Sequence, residues 1–203
     1  MKILTITYEF ENNLYVNTTN RCSCDCVFCL RKNTQTVGNS DNLWLDREPT
    51  KEEIWADINR RDLSVYNHLV FCGFGEPFYR ICDIIWVCGQ VRARAPGLPI
   101  RIDTNGHDVL INQAGNLEKL AGLVDILSVS LNGKDKEQYN RMSRPADTAR
   151  AFDAMINFCR RAVHIVPRLI MTVVDIIPAQ DIEACRGIAQ DIGAEFRVRE
   201  FIK

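Results

Sequence analysis

Short runs dense in Val, Ile and Leu alternate along this chain with longer amphipathic stretches, and no other pattern in it narrows the fold as much. Residues 68–72, 100–103, 124–131, 164–174 and 194–201 read as strands. Residues 81–95, 117–123, 147–162 and 179–192 read as helices. Strands that are apolar on both faces belong to parallel sheets, because the crossover helices of such sheets cover them. The expectation is an α/β chain with about six parallel strands. A flat doubly wound sheet and an open section of a (β/α) barrel both satisfy this pattern, and both gather functional residues at the carboxyl ends of the strands.

The unusual residues of this sequence fall at those ends. Residues 2–9 alternate apolar and polar, 11–13 read as a turn and 14–18 alternate again, so the chain opens with a β-hairpin whose second strand runs into Cys22, Cys24, Cys26 and Cys29. Gly73-Phe74-Gly75-Glu76-Pro77 follows the second parallel strand, Asp103 to Gly106 the third and Ser128 to Gly133 the fourth. Residues 31–47 form a long polar loop, of a length that is usually functional or mobile. Thr50 is a helix cap with Glu53 at the third helical position, and Ile54, Ile58 and Leu63 share a face. No repeat or linker breaks the chain, so residues 1–203 are expected to form one domain.

Charge and composition exclude several classes. Lys plus Arg number 25 against 26 Asp plus Glu, a net charge of -1, without the basic excess of a non-specific nucleic-acid binder. No apolar run approaches the ~20 residues that span a bilayer, and the first ten residues read as a strand and not a signal peptide. A cytoplasmic location is expected. The nine cysteines are an odd count, against a closed disulfide framework; four lie within eight residues, whereas Cys72, Cys82, Cys88, Cys159 and Cys185 are scattered and read as small buried hydrophobes.

Thiolates select zinc, copper or iron-sulfur clusters. A structural zinc site draws on two separated ligand pairs, and here there is no second Cys pair and only three His. Cys22-x3-Cys26-x2-Cys29 instead suits three corners of a [4Fe-4S] cubane. Three thiolates leave one iron open to another ligand, whereas a ferredoxin closes it with a fourth cysteine.

With Phe28 before the third cysteine and Asn17-Thr18-Thr19-Asn20 ahead of the first, this run resembles the signature of the radical S-adenosylmethionine (SAM) superfamily. Gly73-Phe74-Gly75-Glu76 resembles the family's Gly-Gly-Glu motif, with Phe74 inserted. Residues 127–133, followed by Tyr139-Asn140-Arg141 and Ser143-Arg144-Pro145, resemble its fourth-strand region. The resemblance implies a partial (β/α)6 barrel with an N-terminal hairpin. Within the superfamily, the hairpin, the short length and the Thr-Asn-Arg-Cys lead-in look most like the small proteins associated with TatD-family hydrolases.

The resemblance further implies Cys22, Cys26 and Cys29 as ligands of a [4Fe-4S] cluster, with SAM on the open iron. Gly73, Phe74, Gly75 and Glu76 would meet the SAM amino group, Ser130 the ribose, Arg144 (or Arg141) the carboxylate, and Phe28 and Val173 the adenine. Gly75→Val is then expected to weaken SAM binding and spare the cluster. Asp103 and Asn105 follow as contacts to ribose or substrate, although Asn-Gly is also strong turn chemistry. Cys24 reads as a bystander, and Trp44, Trp55 and Trp86 as packing residues. The implied activity is reductive cleavage of SAM to a 5′-deoxyadenosyl radical acting on an unnamed substrate. An activase or modifier of a partner protein and a non-catalytic electron-transfer module are the alternatives. An electron donor such as flavodoxin or ferredoxin and a link to a TatD-family hydrolase are the expected partners. A single domain of this size leaves no room for an auxiliary cluster, so substrate selection is expected from residues 31–47 or from a partner.

Overall fold

The computed structural model describes residues 4–113 and 115–201. Strands β1 (Thr7–Phe10) and β2 (Asn13–Val16) form the antiparallel hairpin, with Tyr8 opposite Tyr15. Glu11 and Asn12, at φ 48° and 58°, make a two-residue turn whose left-handed residues match the strand twist, so Asn13 belongs to the strand and not to the turn. Lys2 and Ile3, read as part of the first strand, lie outside the described residues.

From β2 onward every pairing is parallel: β3 (Leu69–Phe71), β4 (Ile100–Thr104), β5 (Ile126–Ser130), β6 (Arg168–Val174) and β7 (Glu195–Arg199). The spatial order is the sequence order, 1 to 7. A doubly wound sheet reverses its order at a switch point; this one never does, so right-handed crossovers lay every helix on one face. That decides for the open barrel section. Among the described residues β1 and β7 do not pair, and the sheet is not closed.

The helix-covered face is the core. Leu14, Val16, Leu69, Phe71, Ile100, Ile102, Leu127, Val129, Met171 and Val173 pack there against Ile54 and Ile58 of α1 (Lys51–Asn59), Ile84 and Val91 of α2 (Ile81–Arg94), Met155 of α5 (Ala151–Ala162) and Cys185 of α6 (Ala179–Ile192). The expected capping box of α1 is present: Glu53 N donates to Thr50 Oγ1 and Thr50 N to Glu53 Oε2. Two short helices were not expected, α3 (Asp108–Asn112) and α4 (Lys136–Ser143), and the expected helix at 117–123 is a 3-10 turn over Leu117–Leu120. The fifth parallel strand begins at Arg168, because 163–166 still bond to the end of α5. Cys88, Cys159 and Cys185 are buried as expected, but Cys82 is exposed. Among the described residues no helix is long and apolar enough to cross a membrane.

Strand residues of opposite parity to the core line the concave face: Tyr15, Arg101, Asp103, Ser128, Ser130 and Arg199. Residues 31–47 fold onto one side of it, where Leu43 is fully buried and packs with Tyr8, Tyr15, Phe74 and Val37.

Candidate functional site

The cysteine loop leaves β2 through four polar residues, each of which anchors it. Asn17 Nδ2 donates to Leu43 O at 2.7 Å, Asn20 exchanges bonds with the Leu45 backbone at 3.1 and 2.7 Å, and Thr19 Oγ1 donates to Glu48 Oε1 at 2.5 Å. Thr18 O accepts from Arg80 Nη1 at 3.1 Å. The loop then docks on the end of α4. Carbonyls in the last turn of a helix have no partner inside it, and here Val27 N donates to Met142 O at 2.9 Å and Asp25 N to Ser143 O at 3.1 Å, while Cys24 bridges to Pro145. Arg31 closes the arrangement from inside. Its guanidinium donates to Asn20 O at 3.3 Å, Cys24 O at 3.2 Å and Phe74 O at 3.4 Å, joining both arms of the loop to the turn after β3.

That turn is glycine-rich for a reason different from the expected one. A Cβ on Gly75 would lie 2.2 Å from Thr19 O and 2.7 Å from Arg21 O, and a Cβ on Gly73 2.2 Å from Asn17 Oδ1. Gly75 therefore admits the backbone that carries the cysteines, and Gly73 the Asn17 side chain at its root. The Phe74 side chain, expected at the cofactor, is 6% exposed in the apolar cluster with Leu43 and edge-on to Trp44, which is itself exposed. Glu76 is buried and accepts from Phe78 N, Thr104 Oγ1 and Asn105 N at 3.1, 2.7 and 2.8 Å, most of a carboxylate's acceptor capacity. It ties the end of β3 to the end of β4. Burial pushes its carboxyl up to about 7 against the pull of those three donors.

Cys22, Cys26 and Cys29 are half-buried, whereas Cys24 is 6% exposed and turned inward. Beneath it lies a buried polar network that the sequence reading did not identify. Asn105 Nδ2 donates to Ser23 Oγ at 2.8 Å, Ser23 Oγ meets His107 Nδ1 at 3.0 Å, and Tyr139 Oη meets His107 Nε2 at 2.8 Å. Asn105 thus supports the cysteine loop, and Asp103 is paired with Arg101 at 2.9 Å. Burial pushes Cys22 up to about 12 and raises Cys29, while a hydrogen bond from the Cys24 thiol lowers Cys26. Among the described residues no three His, Cys, Asp or Glu side chains converge on the place of a single ion. Three half-buried soft donors on one pinned loop have the ligand chemistry of an iron-sulfur cluster.

Burial lowers His107 to about 4. The unfolded chain takes up a proton near 6.5 that the buried ring refuses, so this residue's contribution to stability falls as pH drops from about 6.5 to about 4, by roughly 3 kcal/mol in all. Glu76 acts in the opposite sense, since its raised carboxyl binds a proton first in the folded state. Urea midpoints at about pH 7, 6 and 5 for wild type and His107→Asn separate the two. The variant should lose the downward contribution; parallel profiles would show that the ring is charged in place.

Of the remaining expected residues, Phe28 is half-exposed on the cysteine loop and Ser130 half-exposed at the carboxyl end of β5. Arg144 is exposed, caps α4 at φ 44°, and makes no side-chain hydrogen bond or ion pair among the described residues; Arg141 is held by Glu137 at 2.6 Å. Val173 does not belong to the site. It is fully buried on the helix-covered face, and the concave positions beside it are Thr172 and Val174.

The sequence model of the Radical SAM superfamily matches residues 16–191. The GTP 3',8-cyclase of Pseudomonas fluorescens (strain Pf0-1) is 28% identical over 146 residues, 70% of this chain and 40% of that protein. The GTP 3',8-cyclase of Rhodococcus opacus (strain B4) is 30% identical over 132 residues, 65% of this chain and 35% of that protein. The chain thus spans well under half the length of these relatives. Streptococcus suis SuiB bound to S-adenosylmethionine superimposes with a TM-score of 0.71 over 96% of this chain and 41% of its own, at 17% identity, a likeness of fold. With a match running from β2 to the end of α6 and the three-cysteine loop at the carboxyl ends of the strands, the chain belongs to the radical SAM superfamily.

Proposed function

We propose that this protein is a radical SAM enzyme whose Cys22, Cys26 and Cys29 hold a [4Fe-4S] cluster with SAM on its open iron, the cofactor pair of its superfamily. One observation carries the reading: three half-buried thiols sit on a single loop pinned to α4 and to the 73–76 turn. Bound there, the pair supplies reductive cleavage of SAM to methionine and a 5′-deoxyadenosyl radical that abstracts hydrogen from the substrate. The chain's own residues hold and orient. The backbone of residues 73–75 offers acceptors to the SAM amino group, since the Glu76 carboxylate is already engaged; Ser130 reaches the ribose, Phe28 flanks the adenine, and Arg144 has its guanidinium fork free for the carboxylate.

The names of the curated relatives support a small molecule, a nucleotide among them, over a protein as substrate. A cytoplasmic site, an electron donor such as flavodoxin or ferredoxin, and a functional link to a TatD-family hydrolase complete the proposal; the last rests on the hairpin and the Thr-Asn-Arg-Cys lead-in. Anaerobically reconstituted protein given SAM and a strong reductant should form 5′-deoxyadenosine, slowly even without substrate. One tightly bound zinc per chain and no SAM cleavage would overturn the reading.

A further inference from the structure

The concave face carries more positive charge than its own carboxylates answer. Arg101 Nε faces Asp103 Oδ1 at 2.9 Å and Arg101 Nη2 donates to Tyr15 Oη at 3.2 Å, so the one carboxylate in mid-face is taken. On β7, Glu195 is held by the exposed Arg168 through two bonds of 2.8 Å. Arg197 and Arg199 share its face and form no side-chain hydrogen bond or ion pair among the described residues. Arg197 is exposed, but Arg199 points inward: its Nε is shut off from solvent and bonded to nothing, and the charged or thiol groups that influence it most are Asp103 and Cys72 across the sheet. Guanidinium groups withdrawn from water are normally paired or hydrogen-bonded. The open Arg199 fork stands opposite Val174, and one step along the same face Arg197 is followed across β6 and β5 by the hydroxyls of Thr172 and Ser130; such a fork matches the two oxygens of a carboxylate or phosphate.

We infer that the concave face takes a substrate bearing a carboxylate or phosphate group, with Arg199 as its anchor and Arg197 at the edge of the same strand. This rests on the proposed radical reading for what is done to the substrate, not for the anion site itself. Arg199 stands on the edge strand β7 and faces Asp103 and Cys72 first and Cys26 of the cysteine loop next, so an anion held there lies between mid-face and the cluster loop, where a substrate is needed.

Inorganic phosphate and acetate, exchanged for chloride at constant ionic strength, are titrated into cluster-loaded protein by calorimetry and by the shift in Tm. At least one probe should bind saturably, and which of the two binds more tightly tells phosphate from carboxylate. Arg199→Gln should weaken that binding by about tenfold or more, the loss of a charge-assisted hydrogen bond or two; Arg199→Lys, which keeps the charge but not the fork, should fall between. If Arg199→Gln fails to fold, the lysine variant carries the comparison, and wild-type affinity in it would count against the fork. No saturable binding to wild type, or equal binding to wild type and Arg199→Gln, overturns the inference. So does competition by SAM, which would assign the guanidinium to the cofactor's carboxylate. The same titration on cluster-free protein separates the two levels: anion binding without SAM cleavage in loaded protein would sink the radical reading and leave the anion site standing, and the reverse result would sink the anion site alone.

Discussion

Gly75→Val should fold and yet fail to hold a cluster, retaining less than about a tenth of the wild-type iron after anaerobic reconstitution. The cause is backbone against backbone: the added Cβ would sit 2.2 Å from Thr19 O and 2.7 Å from Arg21 O, and the bond from Glu76 N to Arg21 O, now 2.7 Å, would have to open. Overpacking of this kind costs about 1–3 kcal/mol or more, and each 1.4 kcal/mol is tenfold in the population of the correctly placed loop. The displaced segment leads directly into Cys22. The motif taken by itself had implied the reverse, weaker SAM binding with the cluster spared. Iron and sulfide analysis beside SAM affinity decides: wild-type iron with weakened SAM binding would return Gly75 to the ligand. Gly89→Ala in α2 is the control, since its Cβ meets nothing within 4 Å; a helical Gly→Ala change there should stabilise by about 0.5–1 kcal/mol.

What could be read from the sequence, and what could not, follows from the range of the interactions involved. Ligand spacing in the cysteine run, strand and helix alternation and the Thr50 cap are local, so they were legible. Helix α4 was not, because its buried positions are Gln138, Tyr139 and Ser143 and no apolar stripe marks it; its start is signalled only by Asp135, whose side chain accepts from Gln138 N. Strand β6 is apolar on both faces, so nothing local told Val173 from Thr172 or Val174, and a shift of one residue exchanges core for concave face. The network of Ser23, Asn105, His107 and Tyr139 joins residues up to 116 positions apart. Its only trace in the sequence was one histidine after an Asn-Gly turn. Glu76 shows the same limit: its motif position was legible, but its three donors, from Phe78, Thr104 and Asn105, were not.

The cysteines carry the other large effect. Cys22→Ala, Cys26→Ala and Cys29→Ala should each abolish SAM cleavage, because a cubane with fewer than three thiolates is not held in register with the open iron toward SAM. Cys24→Ala should keep both cluster and cleavage. Its side chain lies under the loop at 6% exposure, 3.6 Å from Asn105 Nδ2 and 3.9 Å from His107 Nδ1, within a layer that supports the loop. Truncating it opens a methyl-sized gap worth roughly 1 kcal/mol and removes the hydrogen bond that lowers Cys26, so a modest loss of thermal stability is expected. Cys22, Cys26 and Cys29 are half-buried and open to a group held above the loop, whereas Cys24, buried beneath it with its thiol donating to Cys26, is the one of the four that is closed off. Iron content, the electron paramagnetic resonance spectrum of the reduced protein with and without SAM, and 5′-deoxyadenosine formation are measured on all four variants. If Cys24→Ala loses the cluster, and reduced wild type shows no spectral change on adding SAM, four thiolates close the site. The protein is then an electron carrier, and the enzyme reading fails.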